Sequence, residues 1–249
     1  MKFEDPINDG LFLKRYKRFF ADIQQGSEVL TAHVPNTGSM KGLLESHVPC
    51  RYTTNDDPKR KLKYTLQMLK TKNSWVGVNT HLSNQLVWEA WAEKRIPHWQ
   101  AFTHAQKEVK LHAKTRIDMV LWNNLESPDV PEKITTEDFS SGKFHFVEIK
   151  NVTLAKGSQA QFPDAVTTRG QKHLEELMAV IEQGHTAEIV FTVQRTDCTS
   201  FSPADDIDPR YGELLRLDRD SGLLISAYAV EFQGDGIRLN THSPLPCEF

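Results

Sequence analysis

Residues 144–154 read FHFVEIKNVTL. Phe144, Phe146, Val147 and Ile149 are strand formers on both parities of the segment, so this strand is meant for burial, yet Glu148 and Lys150 are planted inside it. Residues two apart in a strand share a face: Phe144, Phe146, Glu148 and Lys150 project one way, His145, Val147 and Ile149 the other. The upstream stretch TRIDMVLW, residues 115–122, repeats the arrangement, with Arg116, Asp118, Val120 and Trp122 on one face and Ile117, Met119 and Leu121 opposite. If the two strands pair, Asp118 stands beside Glu148 near the sheet end. Two carboxylates forced together in a partly dry place repel and raise one pKa, unless a cation sits between them.

Hard divalent cations such as Mg²⁺ or Mn²⁺ take oxygen ligands from one or two carboxylates and keep other positions for water and substrate phosphate. A metal held by Asp118 and Glu148 would polarise a phosphodiester and acidify a bound water. Lys150 would orient that water or neutralise charge developing on phosphorus. Glu108, in QKEVKL, is a further candidate carboxylate. An Asp followed, after a variable loop, by Glu-x-Lys is the core of the PD-(D/E)XK nuclease motif. Alone the motif is weak, because Glu-x-Lys on a strand is commonly a surface ion pair contributing about 0–1 kcal/mol; the apolar surroundings raise it above that background.

The 249 residues, 39% hydrophobic and 25% charged, suit one large or two small globular domains. No apolar run reaches the roughly 20 residues of a membrane span, and MKFEDPINDG lacks the blocks of a signal peptide, so no membrane association and a cytoplasmic location are expected. Cys50, Cys198 and Cys247 show neither a disulfide framework nor a zinc spacing. The net charge of −3 is uneven: residues 1–80 hold thirteen Lys or Arg against eight Asp or Glu, a net +5, leaving −8 for the remainder. A basic front end hints at a polyanion partner for that segment, although solvated charge is the commoner cause.

Residues 1–81 alternate short β-like runs with turn signals (LFLKRYKRFFADI, VLTAHV, KYTLQMLKTKNSWVGVNT), which predicts a small antiparallel barrel or sandwich. From Ser83 the spacing of Leu86, Val87, Ala90 and Trp91 turns helical, and a linking helix is expected within residues 82–101. Residues 82–249 continue with strands, a polar loop over residues 125–142, the FHFVEIKNV strand, a helix and the strand EIVFTVQR, an α/β or α+β order. Thr168 with Gln171 fits a capping box, Leu174, Leu177, Met178 and Ile181 form the apolar stripe, and Gly184 marks the stop. Arg169, Lys172 and His173 occupy the first turn, where the helix dipole favours anions; a phosphate nearby would turn that penalty into a gain. Side chains that simply point to water are an equal reading.

Longer strings add to this. HVPNTGSMKGLLE (33–45), NDDPKRKLKYT (55–65), VGVNTHLSNQLV (76–87), QFPDAVTTRGQKHLEELM (161–178) and FSPADDIDPRYG (201–212) resemble the sugar fermentation stimulation protein A (SfsA) family over nearly the whole chain. The resemblance implies a bacterial DNA-binding protein with an N-terminal OB-like barrel, a C-terminal domain of PD-(D/E)XK nuclease type, little base specificity and a link to maltose and sugar use. Carried across, the nuclease pattern falls on Glu108, Asp118, Glu148 and Lys150, with Arg169 to His173 as a phosphate-facing helix start. Asp164 becomes a candidate for positioning its loop or a metal-bound water. The chain departs from the family pattern at EVKLHAKTRID, where a glycine is missing and Thr115 replaces serine, which bears on the aim of Glu108.

In the N-terminal region Phe12, Lys14, Tyr16, Arg18 and Phe20 share one strand parity, an aromatic and cationic alternation suited to stacking bases and neutralising phosphates. Core packing is the stronger reading for Phe12 and Phe20, binding for Lys14 and Arg18. Lys59, Arg60, Lys61 and Lys63 after Pro58 form a basic loop, and Lys41 is available to phosphate from the PNTGSMKG turn. His98, His104 and His112 read as plain surface histidines. There is no serine-hydrolase elbow, P-loop or dinucleotide fingerprint. Two readings of different class remain, a divalent-metal-dependent nuclease and a catalytically idle DNA-binding regulator; a groove-reading regulator is third, for want of a helix-turn-helix or zinc finger.

Overall fold

The FHFVEIKNV segment becomes β9 (Phe144–Val152), covered on both faces. The computed structural model describes residues 1–112, 115–123 and 133–249, with the backbone alone at Ser141. Ala113 and Lys114, in the departing EVKLHAKTRID turn, and residues 124–132 of the polar loop lie outside the described residues.

The chain first builds a sheet from β1 (Ile7–Tyr16), β2 (Phe20–Gln25), β3 (Glu28–His33), β4 (Val48–Thr54), β5 (Tyr64–Lys70) and β6 (Trp75–Gly77), in the order β3-β2-β1-β4-β5-β6. A short parallel pairing of Ala32 with Tyr64 and His33 with Thr65 joins β3 to β5 and closes it into a barrel. Phe12, Ile23, Ala32, Tyr52 and Leu66 fill its interior. The run LFLKRYKRFFADI does not present one continuous face. The register passes from Phe12 opposite Ile23 to Lys14 opposite Asp22, so a bulge at Leu13 sends Phe12 inward and leaves Lys14 at the surface. The strand then ends: Lys17 and Arg18, at φ +46° and +64°, form a hairpin turn, and Phe20 returns half-buried to stack on Tyr16 at 5.6 Å. The expected alternation through Arg18 is therefore corrected, because a turn reverses the chain there.

Next comes α1 (Leu82–Ala92), shorter than the linking helix expected over 82–101: it stops at Ala92, Lys94 turns left-handed at φ +54°, and a single 3₁₀ turn spans Pro97–Trp99. The second sheet uses β7 (His104–His112), β8 (Thr115–Trp122) and β9, then, after the short hairpin β10 (Leu154–Lys156) and β11 (Gln159–Phe162) and the helix α2 (Thr168–Glu182), β12 (Thr186–Val193). β13 (Ser200–Pro203) joins β11, and α3 (Pro209–Asp220) leads to β14 (Leu224–Gln233) and β15 (Gly236–Leu239). The order β15-β14-β12-β9-β8-β7 is mixed, with β9, β12 and β14 parallel and the edges antiparallel.

β9 lies inside this sheet. Phe144 and Phe146 pack with Leu174, Leu177 and Val180 of α2 and with Tyr211 and Leu215 of α3. Val147 and Ile149 pack on the other side with Leu82, Leu86, Val87 and Ala90 of α1. Each such side chain contributes roughly 1.5–3 kcal/mol on burial, which outweighs any local preference of the segment. Helix α2 starts one residue earlier than a Thr168–Gln171 capping box requires: Thr167 is the cap, accepting from Gly170 N at 3.0 Å, and Gln171 reaches instead to Asp208. Gly184 follows the C-cap at φ +89°, as expected of a stop signal.

The barrel and the second sheet share a seam. Gly77 N donates to Gln194 O at 2.8 Å, and Val76 bridges to Arg195. A Cβ at position 77 would come within 2.6 Å of Gln194 Oε1, so a larger residue there would have to displace the Gln194 amide. At a second point Asp164 Oδ2 accepts from Ser39 N (2.9 Å), Ser39 Oγ (2.9 Å) and Met40 N (3.2 Å). Among the described residues no helix is long and apolar enough to cross a membrane, and all three cysteines are free.

Candidate active site

The β8–β9 ladder runs from Trp122 opposite Phe144 to Met119 opposite Val147 and then stops. The next pair in that register is Asp118 and Glu148. Here the strands part, and the Asp118 carboxylate fills the opening: its Oδ2 accepts from Ile149 N at 2.8 Å and its Oδ1 from Asn84 Nδ2 of α1 at 2.9 Å. Burial first, and the neighbouring Glu148 charge second, push Asp118 up to about 6, against the pull of its hydrogen bonds and of Lys150.

Glu148 is only 2% exposed. Burial raises its pKa, but Lys150, whose Nζ lies 2.7 Å from Oε1, and His173, whose Nδ1 bonds the same oxygen, carry it below the usual carboxylate value. Arg169 Nε donates to His173 Nε2 at 3.3 Å, which puts the ring proton on Nδ1, facing Glu148. Glu148 Oε2 is buried without a protein partner. An acceptor in that condition is unfavourable unless a cation or water meets it.

A cleft of about 460 Å³ is bounded by Asp118 and His173 together with Glu108, Lys110, Arg116 and Arg169 among others; Glu148 and Lys150 lie behind its wall, joined to it through His173. The β7–β8 register pairs Lys107 with Met119 and Val109 with Ile117, which sets Glu108 across from Asp118. Glu108 adopts φ +55°, a conformation that non-glycine residues seldom take and that recurs at functional sites. The structure thus brings together Asp118, Glu148, Lys150, Glu108, Arg169 and His173. Lys172 turns away to Glu176, at 3.4 Å. Two carboxylates, an unpaired buried oxygen and an acid raised toward neutrality fit a hard divalent ion shared with water and phosphate. Among the described residues no set of three protein ligands closes around such an ion, so water or substrate would complete its shell.

The barrel cations are dispersed. Lys14 pairs with Asp22 at 3.4 Å, Arg60 with Asp5 at 3.7 Å and Lys63 with Asp56 at 2.5 Å, so half of the supposed basic loop is locally neutralised, while Lys59, Lys61, Lys41 and Arg18 point to solvent. Burial, then His81 and Arg60, depress the pKa of His33. Asp164 positions its loop, through Ser39 and Met40.

His98 and His112 lie at the surface as expected and His104 is half-buried, but each has a partner. Glu188, fully buried, accepts from Trp99 Nε1 (2.8 Å), His98 Nε2 (2.9 Å) and His145 Nε2 (3.2 Å); burial pushes it up, yet His145 and His98 bring it down to about 2. His104 stacks on Trp122 at 5.5 Å, and His112 Nε2 lies 3.0 Å from Glu176. Sequence reasoning missed Asn84 as a partner of Asp118 and His173 as a partner of Glu148, and no spacing signals either, since 34 and 25 residues separate the pairs.

Comparison with known proteins agrees with this architecture. A family model described as the SfsA N-terminal OB domain matches residues 13–78, and one described as the Sugar fermentation stimulation protein RE domain matches residues 81–236. The chain is 49% identical to the sugar fermentation stimulation protein homolog of Bdellovibrio bacteriovorus, over 96% of this chain and 97% of that one. It is 41% identical to the homolog of Geotalea uraniireducens, over 96% of each. The solved structure of Pyrococcus furiosus SfsA in complex with Ca²⁺ has the same fold, with a TM-score of 0.82 over 100% of both chains at 22% identity. The barrel is therefore an OB domain, and the protein belongs to the sugar fermentation stimulation protein family.

Proposed function

We propose that the protein is a divalent-metal-dependent phosphodiesterase acting on nucleic acid, with Mg²⁺ or Mn²⁺ as its ion and DNA as the partner gripped by the OB domain. The observation that carries this reading is the convergence, where the β8–β9 ladder stops, of Asp118 raised to about 6, Glu148 with one buried oxygen unmatched, and Lys150 at 2.7 Å. Asp118 and Glu148 would hold the ion, which when bound acidifies a water and draws charge from the phosphodiester. Lys150, whose Nζ lies 2.7 Å from Glu148 Oε1, would stabilise negative charge developing on phosphorus. His173 keeps Glu148 aimed through its Nδ1 proton, and Arg169, Lys110 and Arg116 line the approach with positive charge. Glu108 stands across the cleft as a further carboxylate for the ion or its waters. The Ca²⁺ in the P. furiosus complex, a hard oxygen-seeking cation, supports this choice of metal class. A cytoplasmic location is part of the same proposal.

The test is cleavage of labelled single-stranded, duplex and branched DNA and of RNA, with Mg²⁺ or Mn²⁺ added. Wild type should cut at least one of them; Glu148→Gln and Lys150→Ala should lower the rate by a factor of 10² or more and leave binding within about threefold. Binding without cleavage of any substrate would leave the catalytically idle DNA-binding regulator of sugar use as the function.

A further inference from the structure

A second cleft, of about 380 Å³, lies between the OB domain and the second sheet, and its chemistry is unlike that of the first. It starts one residue past Lys150, at Asn151, and is also lined by Thr167, the cap of the helix that carries Arg169 and His173. Asn151 projects from the face of β9 opposite Glu148 and Lys150, so the second cleft begins next along the chain from the catalytic groups without being lined by them. The first is edged by Lys110, Arg116 and Arg169; no lysine or arginine lines the second. Its one charged lining residue, Asp164, already bonds Ser39 and Met40. A wall without cations is poorly matched to phosphate.

What the second cleft does offer is amides and hydroxyls. Asn151 Oδ1 accepts from Ser83 Oγ at 2.9 Å, while its Nδ2 makes no protein hydrogen bond among the described residues. Thr153 is 6% exposed, and its hydroxyl likewise has no protein partner there. Gln161 makes only long contacts, at 3.3 Å to Ser202 Oγ and 3.5 Å to Gln159. Thr37 contributes a further hydroxyl from the OB domain. Beside these groups stand Phe162 and Val166, the latter 66% exposed, an unusual position for a valine. Neutral donors and acceptors beside an apolar wall, in a cavity near the lower end of small-ligand sites, suit a flat heterocycle with a hydrogen-bonding edge.

We propose that this cleft is a nucleobase subsite: one unpaired base next to the phosphate at Lys150 enters between the domains and is held by Asn151, Thr153 and Gln161 against Val166. This rests on the nuclease reading for the position of the phosphate, but not for the binding itself. It makes the substrate a single strand or a strand with an everted base, since a paired base has its edge occupied. It also gives the site a preference among bases.

The experiment measures binding of short deoxyadenylate, deoxycytidylate and thymidylate homopolymers in EDTA, where no cleavage confuses the reading. One homopolymer should bind at least fivefold tighter than the weakest. Thr153→Val and Gln161→Leu, each changing the melting temperature by no more than a few degrees, should reduce that preference at least threefold. Equal binding of all three homopolymers, or a preference untouched by both variants, overturns the subsite. A preference that responds to the variants in a protein that cuts nothing upholds the subsite and defeats only the nuclease reading.

Discussion

Asp118 is the residue on which the chemistry can be tested without a substrate. Its pKa of about 6 lies above the 3.8 of a free aspartate, so between these values the folded protein holds a proton the unfolded chain has lost. Stability therefore falls as pH rises through that window, by up to about 3 kcal/mol at pH 7 and above. Asp118→Asn should raise the metal-free melting temperature at pH 8 by several degrees, with the difference from wild type shrinking toward pH 5. Mn²⁺ should stabilise wild type more at pH 8 than at pH 5, and the variant little at either; scanning calorimetry reads both. Glu188 has the opposite sign. Held at about 2, below the ordinary 4.5, it contributes stability above the higher value that is lost as pH falls through the lower. Glu188→Gln leaves one of the three N–H donors on His98, Trp99 and His145 poorly matched, and should cost roughly 2–4 kcal/mol in urea unfolding.

Among the elements, α2 matters most, because it covers the sheet with Leu174, Leu177 and Val180 while its first two turns deliver Arg169 and His173 to the site. Its start is fixed from outside. Asp208 accepts from Thr167 N at 2.8 Å and Gln171 Nε2 at 2.9 Å, and caps α3 by accepting from Tyr211 N at 3.0 Å. Asp208→Ala should lower stability by roughly 2–3 kcal/mol and, under the proposed nuclease function, reduce the cleavage rate more than DNA affinity, as His173 loses its aim at Glu148. Urea unfolding alongside single-turnover kinetics separates the two effects. The 3.6-residue apolar stripe of this helix was legible from the sequence; its true cap was not, because Thr167 and Thr168 are both good caps and the choice between them came from Asp208, forty-one residues away.

Over the whole molecule, the OB domain and the second sheet meet at Gly77–Gln194 and at Asp164–Ser39, and the second of these frames the cleft that begins at Asn151. Asp164→Ala should change global stability by about 1 kcal/mol or less, since its bonds are largely solvent-accessible, yet loosen the 36–42 loop, which limited proteolysis would detect. If Lys41, Lys59, Lys61, Lys110 and Arg169 each meet one phosphate of a single strand, log affinity should fall with log salt at a slope of about −3 to −4. A slope near zero would remove phosphate gripping from the function.

The alternation of residues along β9 determined by itself that Glu148 and Lys150 share a face, because successive side chains in a strand point to opposite sides; that Asp118 stands beside them took the β8–β9 register, which only the tertiary structure supplied. The barrel character of residues 1–81 and the helical stripes of α1 and α2 were equally readable, since periodicity is local. Tertiary structure alone decided that the strands part at Asp118, that Asn84 and His173 hold the two carboxylates, and that Arg18 sits in a turn rather than on a strand face. It alone gathered His98, Trp99 and His145 on Glu188 and opened a cleft between the domains. These contacts join residues far apart in the chain, and packing enthalpy and desolvation between distant segments leave no periodic trace along a sequence.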